Sequence, residues 1–228
     1  MTRSRNGTDP AEHPLELSSD EMRSLVDAAM ERIVPHIATL PEQPSADTEG
    51  AEALARSLVE PIPETGQPHE ELIDLLFDRL VPKSFNTAGP GYLAYIPGGG
   101  LFHSAVADLL ADSFNRYTGV FAAAPALAQL EANVIRWFAE IVGFPPAARG
   151  ILTPGGSLAT LTGLVTARIV KLGDRFGDGT IYASDQSHHS VLKAAILSGF
   201  PTGNVRQIPS DERRRIRLDL LEEAIVRD

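Results

Sequence analysis

The stretch Thr153-Pro154-Gly155-Gly156-Ser157-Leu158-Ala159-Thr160 stands at the entrance to an apolar helical segment, directly after the strand-like pair Ile151-Leu152. It therefore reads as a strand–loop–helix junction. Gly155 and Gly156 carry no Cβ, so the backbone there admits a ligand at close range. Ser157 adds a hydroxyl. The helix beginning here turns free N–H groups and the positive end of its dipole toward the same spot, which suits an anion such as a phosphate. The same letters also suit a plain loop and helix cap. The run is neither a Gly-Lys-Ser/Thr phosphate loop nor a Gly-x-Gly-x-x-Gly dinucleotide fingerprint.

A second junction follows about thirty residues on. Strand-like Thr180-Ile181-Tyr182 leads into Asp185-Gln186-Ser187-His188-His189-Ser190-Val191, which opens a helix over 186–198. Asn204 to Ile208 reads as the next strand, and Leu218, Leu221, Ala224 and Ile225 give the last segment helical spacing. Strands alternating with helices imply an α/β fold around a parallel sheet with crossover helices. In such a sheet, residues just past a strand lie at the carboxyl edge, where ligands bind. His188 and His189 are in that position. One imidazole is suited to stack on a flat ring, the pair to a metal, and either to a helix cap. Adjacent residues at a helix start diverge, and no third metal ligand is near.

Upstream, residues 1–14 read as a disordered tail, 15–84 as a helical arm and 85–228 as an incomplete sheet domain. Ser18 and Glu21 form a capping box. It stands before a helix whose apolar face is Met22, Val26, Ala29, Ile33 and Ile37, ended by Pro41 and Pro44. Further helices are expected over Ala51–Leu58 and His69–Leu80. Proline-rich links separate these helices, so they need another surface to pack on, and an arm wrapping a second subunit is the expected use. Phe85 to Pro97 reads as an ordered loop and His103 to Phe114 as a helix. A helix starting at Pro125 is expected to bury Leu127, Leu130, Val134, Trp137, Phe138 and Ile141.

Composition narrows the function. A net charge of −10 argues against a nucleic-acid surface. The cluster Arg213-Arg214-Arg215 beside Asp211-Glu212 reads as a solvated loop. With no cysteine in the chain, disulfides and thiol catalysis are excluded. The polar N-terminus lacks a signal-peptide core and no apolar run reaches membrane-spanning length, so a soluble cytoplasmic protein is expected.

Several pieces in order resemble the first half of the group II pyridoxal-phosphate-dependent decarboxylases. They are Gly91-Tyr92-Leu93-Ala94-Tyr95-Ile96-Pro97, Ala124-Pro125-Ala126 with Leu130-Glu131, Trp137, and the Gly-Gly-Ser and Asp-Gln-Ser-His-His-Ser-Val runs. The resemblance implies fold type I, pyridoxal 5'-phosphate as cofactor, an amino acid substrate, and a homodimer joined through the N-terminal arm. By position it implies that Gly155, Gly156 and Ser157 hold the cofactor phosphate. His188 would stack on the pyridine ring and serve in proton transfer, a role assigned to it rather than to His189. Tyr95 and Pro97 would line the substrate pocket, and the segment from Tyr117 to Phe121 would face the neighbouring subunit's active site. Gly119 stands where aromatic-specific relatives carry a bulky ring.

The same resemblance places the aspartate that pairs with the pyridine nitrogen, and the Schiff-base lysine, beyond the matched region. Asp27-Ala28-Ala29 has the letters of the aspartate motif but lies within an amphipathic helix. Lys83, Lys171 and Lys193 are the only lysines, and none is at the expected place. The expectation is therefore a decarboxylase half, truncated and inactive alone. The alternatives are a non-catalytic dimerising fragment, or a carbon–carbon lyase of another branch of the fold.

Overall fold

The computed structural model describes residues 16–228, so the expected tail over residues 1–14 lies outside the described residues. The chain divides into two compact units, Met1–Asn115 and Arg116–Asp228.

In the first unit, α1 spans Ser19–Ala38 and begins with the expected reciprocal cap. The Ser18 backbone N–H donates to Glu21 Oε2 at 2.7 Å, and the Glu21 N–H donates to Ser18 Oγ at 3.3 Å. The Ser18 hydroxyl also holds the Glu21 carboxyl below its ordinary range. After α2 (Ala51–Ser57), α3 (His69–Asp74) widens into a π-helical turn over Leu75–Leu80 and tightens to a 3-10 turn at Val81–Lys83, where Pro82 ends it. Arg32 joins α1 to this helix by donating to Asp74 at 2.7 Å and to Asp78, with its guanidinium 5.5 Å from the Phe77 ring centre. The helix α4 spans Phe102–Phe114 and ends at Asn115, whose left-handed backbone (φ 41°) suits a C-cap.

The second unit opens with α5 (Pro125–Ile141), which has proline in its first turn, where the missing N–H costs nothing. The remaining elements are α6 (Gly156–Leu172), β1 (Ile181–Ser184), α7 (Ser190–Leu197), β2 (Val205–Ile208) and α8 (Leu218–Arg227). β1 and β2 pair in parallel, with Ile181 opposite Val205 and Ser184 opposite Ile208, and α7 is the crossover between them. The core of this unit is small: Ala194, Ala195, Phe200, Ile208 and Ala224 are buried, with Ser190 and Ser198 among them. Alanines on α7 permit close approach of its neighbour α6, and the two helices pack along their length. Arg168 fastens the far end of this pair. It donates to the Ser198 carbonyl and lies 4.3 Å from the Phe176 ring centre, while Phe176 meets Phe200 edge-on at 5.6 Å.

Three expectations fail. The helix expected over 186–198 begins only at Ser190, which leaves both histidines in the loop before it. Among the described residues no strand hydrogen-bonds to Ile151 and Leu152, so they form none; they stay 64% and 56% exposed. The α5 stripe is not buried either, since Trp137, Phe138 and Ile141 stand more than half exposed. Periodicity shows that a face is apolar and says nothing of what covers it. Among the described residues, no helix is long and apolar enough to cross a membrane.

Candidate functional site

Gly155 has φ 166°, an extended backbone that any residue adopts, so its glycine answers no conformational need. A Cβ built on Gly155 or on Gly156 meets nothing within 4 Å, so internal packing does not require glycine at either position. What the two glycines leave is open room in front of the first turn of α6. The opening N–H groups of a helix have no intrahelical acceptor. Neighbouring hydroxyls are already engaged, with Thr153 Oγ1 donating to the Gly155 carbonyl at 3.1 Å and Thr160 Oγ1 to the Gly156 carbonyl at 2.8 Å. Ser157, the second residue of α6, is exposed and adds a hydroxyl to this helix start. An open, Cβ-free helix start with free N–H donors and a hydroxyl fits a phosphate dianion.

The second run places its histidines in the loop between β1 and α7. Ser190 N–H donates to His188 Nδ1 at 3.2 Å, and the Ser190 hydroxyl lies 2.9 Å from the same nitrogen. An Nδ1 that accepts carries no proton, which puts the ring proton on Nε2. His188 thus caps its own helix through one nitrogen and offers the other to an external group. The His189 ring lies 4.0 Å from that of His188, tilted by 41°. Electrostatic repulsion from the adjacent His188 ring, then from Lys193, and finally burial hold the His189 imidazole below its ordinary range. A cleft of about 420 Å3 adjoins this loop, lined by Ser184, Ser187, His188, His189, Leu192 and Gln207 among others.

The two runs share a layer. α6 and α7 pack on each other, and Arg168 near the end of α6 donates to the Ser198 carbonyl just past the end of α7, so the C-terminal ends of the two helices meet. Gly156 and Ser190, the first residues of the two helices, therefore lie toward the same end. Tyr117 belongs to this unit too, its ring folded over Gly119 so closely that a Cβ there would come within 2.9 Å of it. Tyr95 and Pro97 belong to the first unit. Tyr95 is 87% exposed and, with Ile96, holds a left-handed backbone (φ 58° and 53°). Of the lysines, Lys83 pairs with Asp47 at 2.9 Å, Lys171 is in the last turn of α6, and Lys193 lies one turn beyond His189.

Sequence reading missed Ser190, the residue that holds His188. A serine two positions after a polar residue at a helix start is the available signal, since such pairs commonly exchange a side-chain-to-backbone bond.

Comparison with known proteins adds to this geometry. The chain is 35% identical over 214 residues to the aromatic-L-amino-acid decarboxylase of Bacillus atrophaeus, covering 94% of this chain and 45% of that protein. Among solved structures it resembles Oryza sativa TDC with PLP, with TM-score 0.82 and 25% identity over 92% of this chain and 48% of the other. It also resembles the fold of Catharanthus roseus tryptophan decarboxylase, with TM-score 0.83 and 22% identity over 92% and 48%. The fold is thus the fold type I architecture of pyridoxal-phosphate decarboxylases, and the chain spans about half the length of the relatives it matches. Residues 52–228, which include both junctions described above, match the pyridoxal-dependent decarboxylase conserved domain, and the chain belongs to that family of carboxy-lyases.

Proposed function

We propose that this chain supplies the phosphate cradle and the ring-covering histidine of a pyridoxal 5'-phosphate-dependent amino acid decarboxylase. The observation that carries the reading is the open, Cβ-free start of α6 on the same side as the His188 loop. Bound pyridoxal phosphate supplies the electron sink that lets a substrate lose its carboxylate as carbon dioxide. The residues of this chain bind and orient it. The N–H groups at the start of α6 and the Ser157 hydroxyl hold the phosphate, where the helix dipole favours two negative charges. His188, with Nδ1 engaged by Ser190, lays its ring on the cofactor and presents Nε2–H as a fixed donor.

In this reading Tyr95 and Pro97 contact the substrate and Tyr117 faces the neighbouring subunit's active site, and the relatives named for aromatic amino acids support testing those substrates first. The whole protein acts as a homodimer joined through its N-terminal helices. Support comes from the apolar residues that α1 leaves exposed, Met22, Val26, Val34 and Ile37.

The test is release of carbon dioxide by the whole protein from a panel of L-amino acids, with and without added pyridoxal phosphate. Cofactor-dependent release together with the matching amine is expected. A protein that binds the cofactor yet releases carbon dioxide from no amino acid would overturn the assignment.

A further inference from the structure

The loop that carries His188 is gripped from a distance. Past β2, residues 209–217 form a short hairpin closed by an antiparallel bridge between Ser210 and Ile216. Asp211 locks its turn by accepting the N–H groups of Arg213 and Arg215 at 2.9 Å each, and the Arg215 guanidinium at the same distance. From this hairpin two side chains reach residues 25 and 28 positions earlier in the chain. The Ser210 hydroxyl donates to Asp185 Oδ1, and Arg214 Nη1 donates to Gln186 Oε1 at 3.0 Å. Ser210 also lies 3.0 Å from the Ser184 hydroxyl, which itself accepts the Gln186 N–H at 3.0 Å. The Asp185 N–H donates to the Ile208 carbonyl, continuing the β1–β2 ladder one residue past the strand. The Ser210 hydrogen bond is the main reason the Asp185 carboxyl titrates below its ordinary range.

We propose that this hairpin positions His188, with Ser210 acting through Asp185 and Arg214 through Gln186. The inference rests on the reading of His188 as the cofactor-covering residue. Residues 185–189 are all exposed and belong to no helix or strand, so little packing holds them. Ser190 fixes the imidazole from the C-terminal side by its grip on Nδ1, and the hairpin fixes the loop from the N-terminal side. Arg214 holds a left-handed backbone (φ 59°), a conformation that arginine adopts rarely. That conformation places its guanidinium at the tip, within reach of Gln186. Among the described residues the side chains of Ser210 and Arg214 hydrogen-bond Asp185, Ser184 and Gln186 and not the histidine, so both are positioning residues.

The experiment uses the whole protein loaded with pyridoxal phosphate. Ser210→Ala removes the hydroxyl. Arg214→Asn keeps a residue tolerant of left-handed backbone while losing the reach to Gln186. Ser210→Thr is the conservative rescue. Both disruptive variants are expected to lower kcat about tenfold with KM within about twofold. They also weaken the visible circular dichroism of the bound cofactor and broaden the His188 Nε2–H resonance in nitrogen-15 spectra of the cofactor-free protein, and Ser210→Thr restores all three. Unchanged dichroism and resonance in both variants, beside lost dichroism in His188→Ala, overturn the hairpin's role alone. Unchanged dichroism in His188→Ala overturns the underlying reading of His188 and this inference with it.

Discussion

Arg206 on β2 grips Asp228 with two hydrogen bonds, Nε to Oδ2 at 2.9 Å and Nη2 to Oδ1 at 3.2 Å, while the Tyr182 hydroxyl of β1 donates to Oδ2 at 3.1 Å. One carboxylate, its side chain 11% exposed, thereby ties the end of α8 to both strands. Burial and the neighbouring Asp228 raise the Tyr182 hydroxyl above its ordinary range, so it remains a donor at neutral pH. Asp228→Asn keeps the shape and loses the charge. It is expected to lower the midpoint of thermal unfolding of the whole protein by about 3 °C, with helix content unchanged in circular dichroism.

The carboxylates around β2 and α8 govern the response to strong acid. Asp219 accepts Arg217 Nε at 2.7 Å, and this pairing brings its pKa from 3.8 down to about 2. A folded-state value below the unfolded one means a contribution present above about pH 4 and lost as the pH falls toward 2. Thermal melts between pH 5 and pH 2 check this: the wild type should lose more stability across that range than Asp219→Asn. Equal losses would show the pair to be fully screened.

The histidine pair predicts a second pH effect, nearer neutrality. His189 sits below its ordinary value because repulsion from the adjacent His188 ring and from Lys193 opposes its protonation. The folded state therefore binds fewer protons than the unfolded one as the pH falls below about 6.5, and stability declines with it. His189→Ser should flatten the fall in melting temperature between pH 8 and pH 5.

Gly155→Val separates cofactor binding from folding. The extended backbone accepts valine, and the space ahead of it is empty within 4 Å. The unliganded protein should melt as the wild type does. Affinity for pyridoxal phosphate, followed by absorbance titration, should fall at least about tenfold because the side chain takes the room of the phosphate.

Tyr117 and Gly119 should behave as one unit. A Cβ on residue 119 displaces the Tyr117 ring, so Gly119→Ala and Tyr117→Ala are each expected to change KM severalfold. The double variant should be no worse than Tyr117→Ala alone. Additive effects in steady-state kinetics would show that the ring does not depend on the glycine.

The local devices were legible in the sequence. The Ser18–Glu21 capping box, proline in the first turn of α5, the helix starting at Gly156 and the strands at Ile181–Ser184 and Val205–Ile208 all follow from short-range patterns. Features joining distant parts of the chain were not. Nothing in the spacing of Arg32, Asp74 and Asp78 reveals that one guanidinium serves both carboxylates, and nothing in Ser210 or Arg214 points back to residues 185 and 186. Ile151 and Leu152 look like a strand because β-propensity measures fit to a pleated, half-covered surface, and the described chain provides none there. The Arg213–Arg215 cluster reads as solvated surface, which is true of its exposure and silent about the one guanidinium that reaches Gln186.

The bond from the Ser190 N–H to His188 Nδ1 makes one nitrogen answer to two masters, the ring plane and the first turn of α7. Any molecule that presses on the imidazole leans equally on that helix. Occupancy should therefore be audible far from the ligand as slower amide hydrogen exchange through Val191 to Leu197, even where no α7 backbone group touches it. Conversely, a mutation that frays the start of α7 would detune the histidine without altering a single atom of the pocket wall.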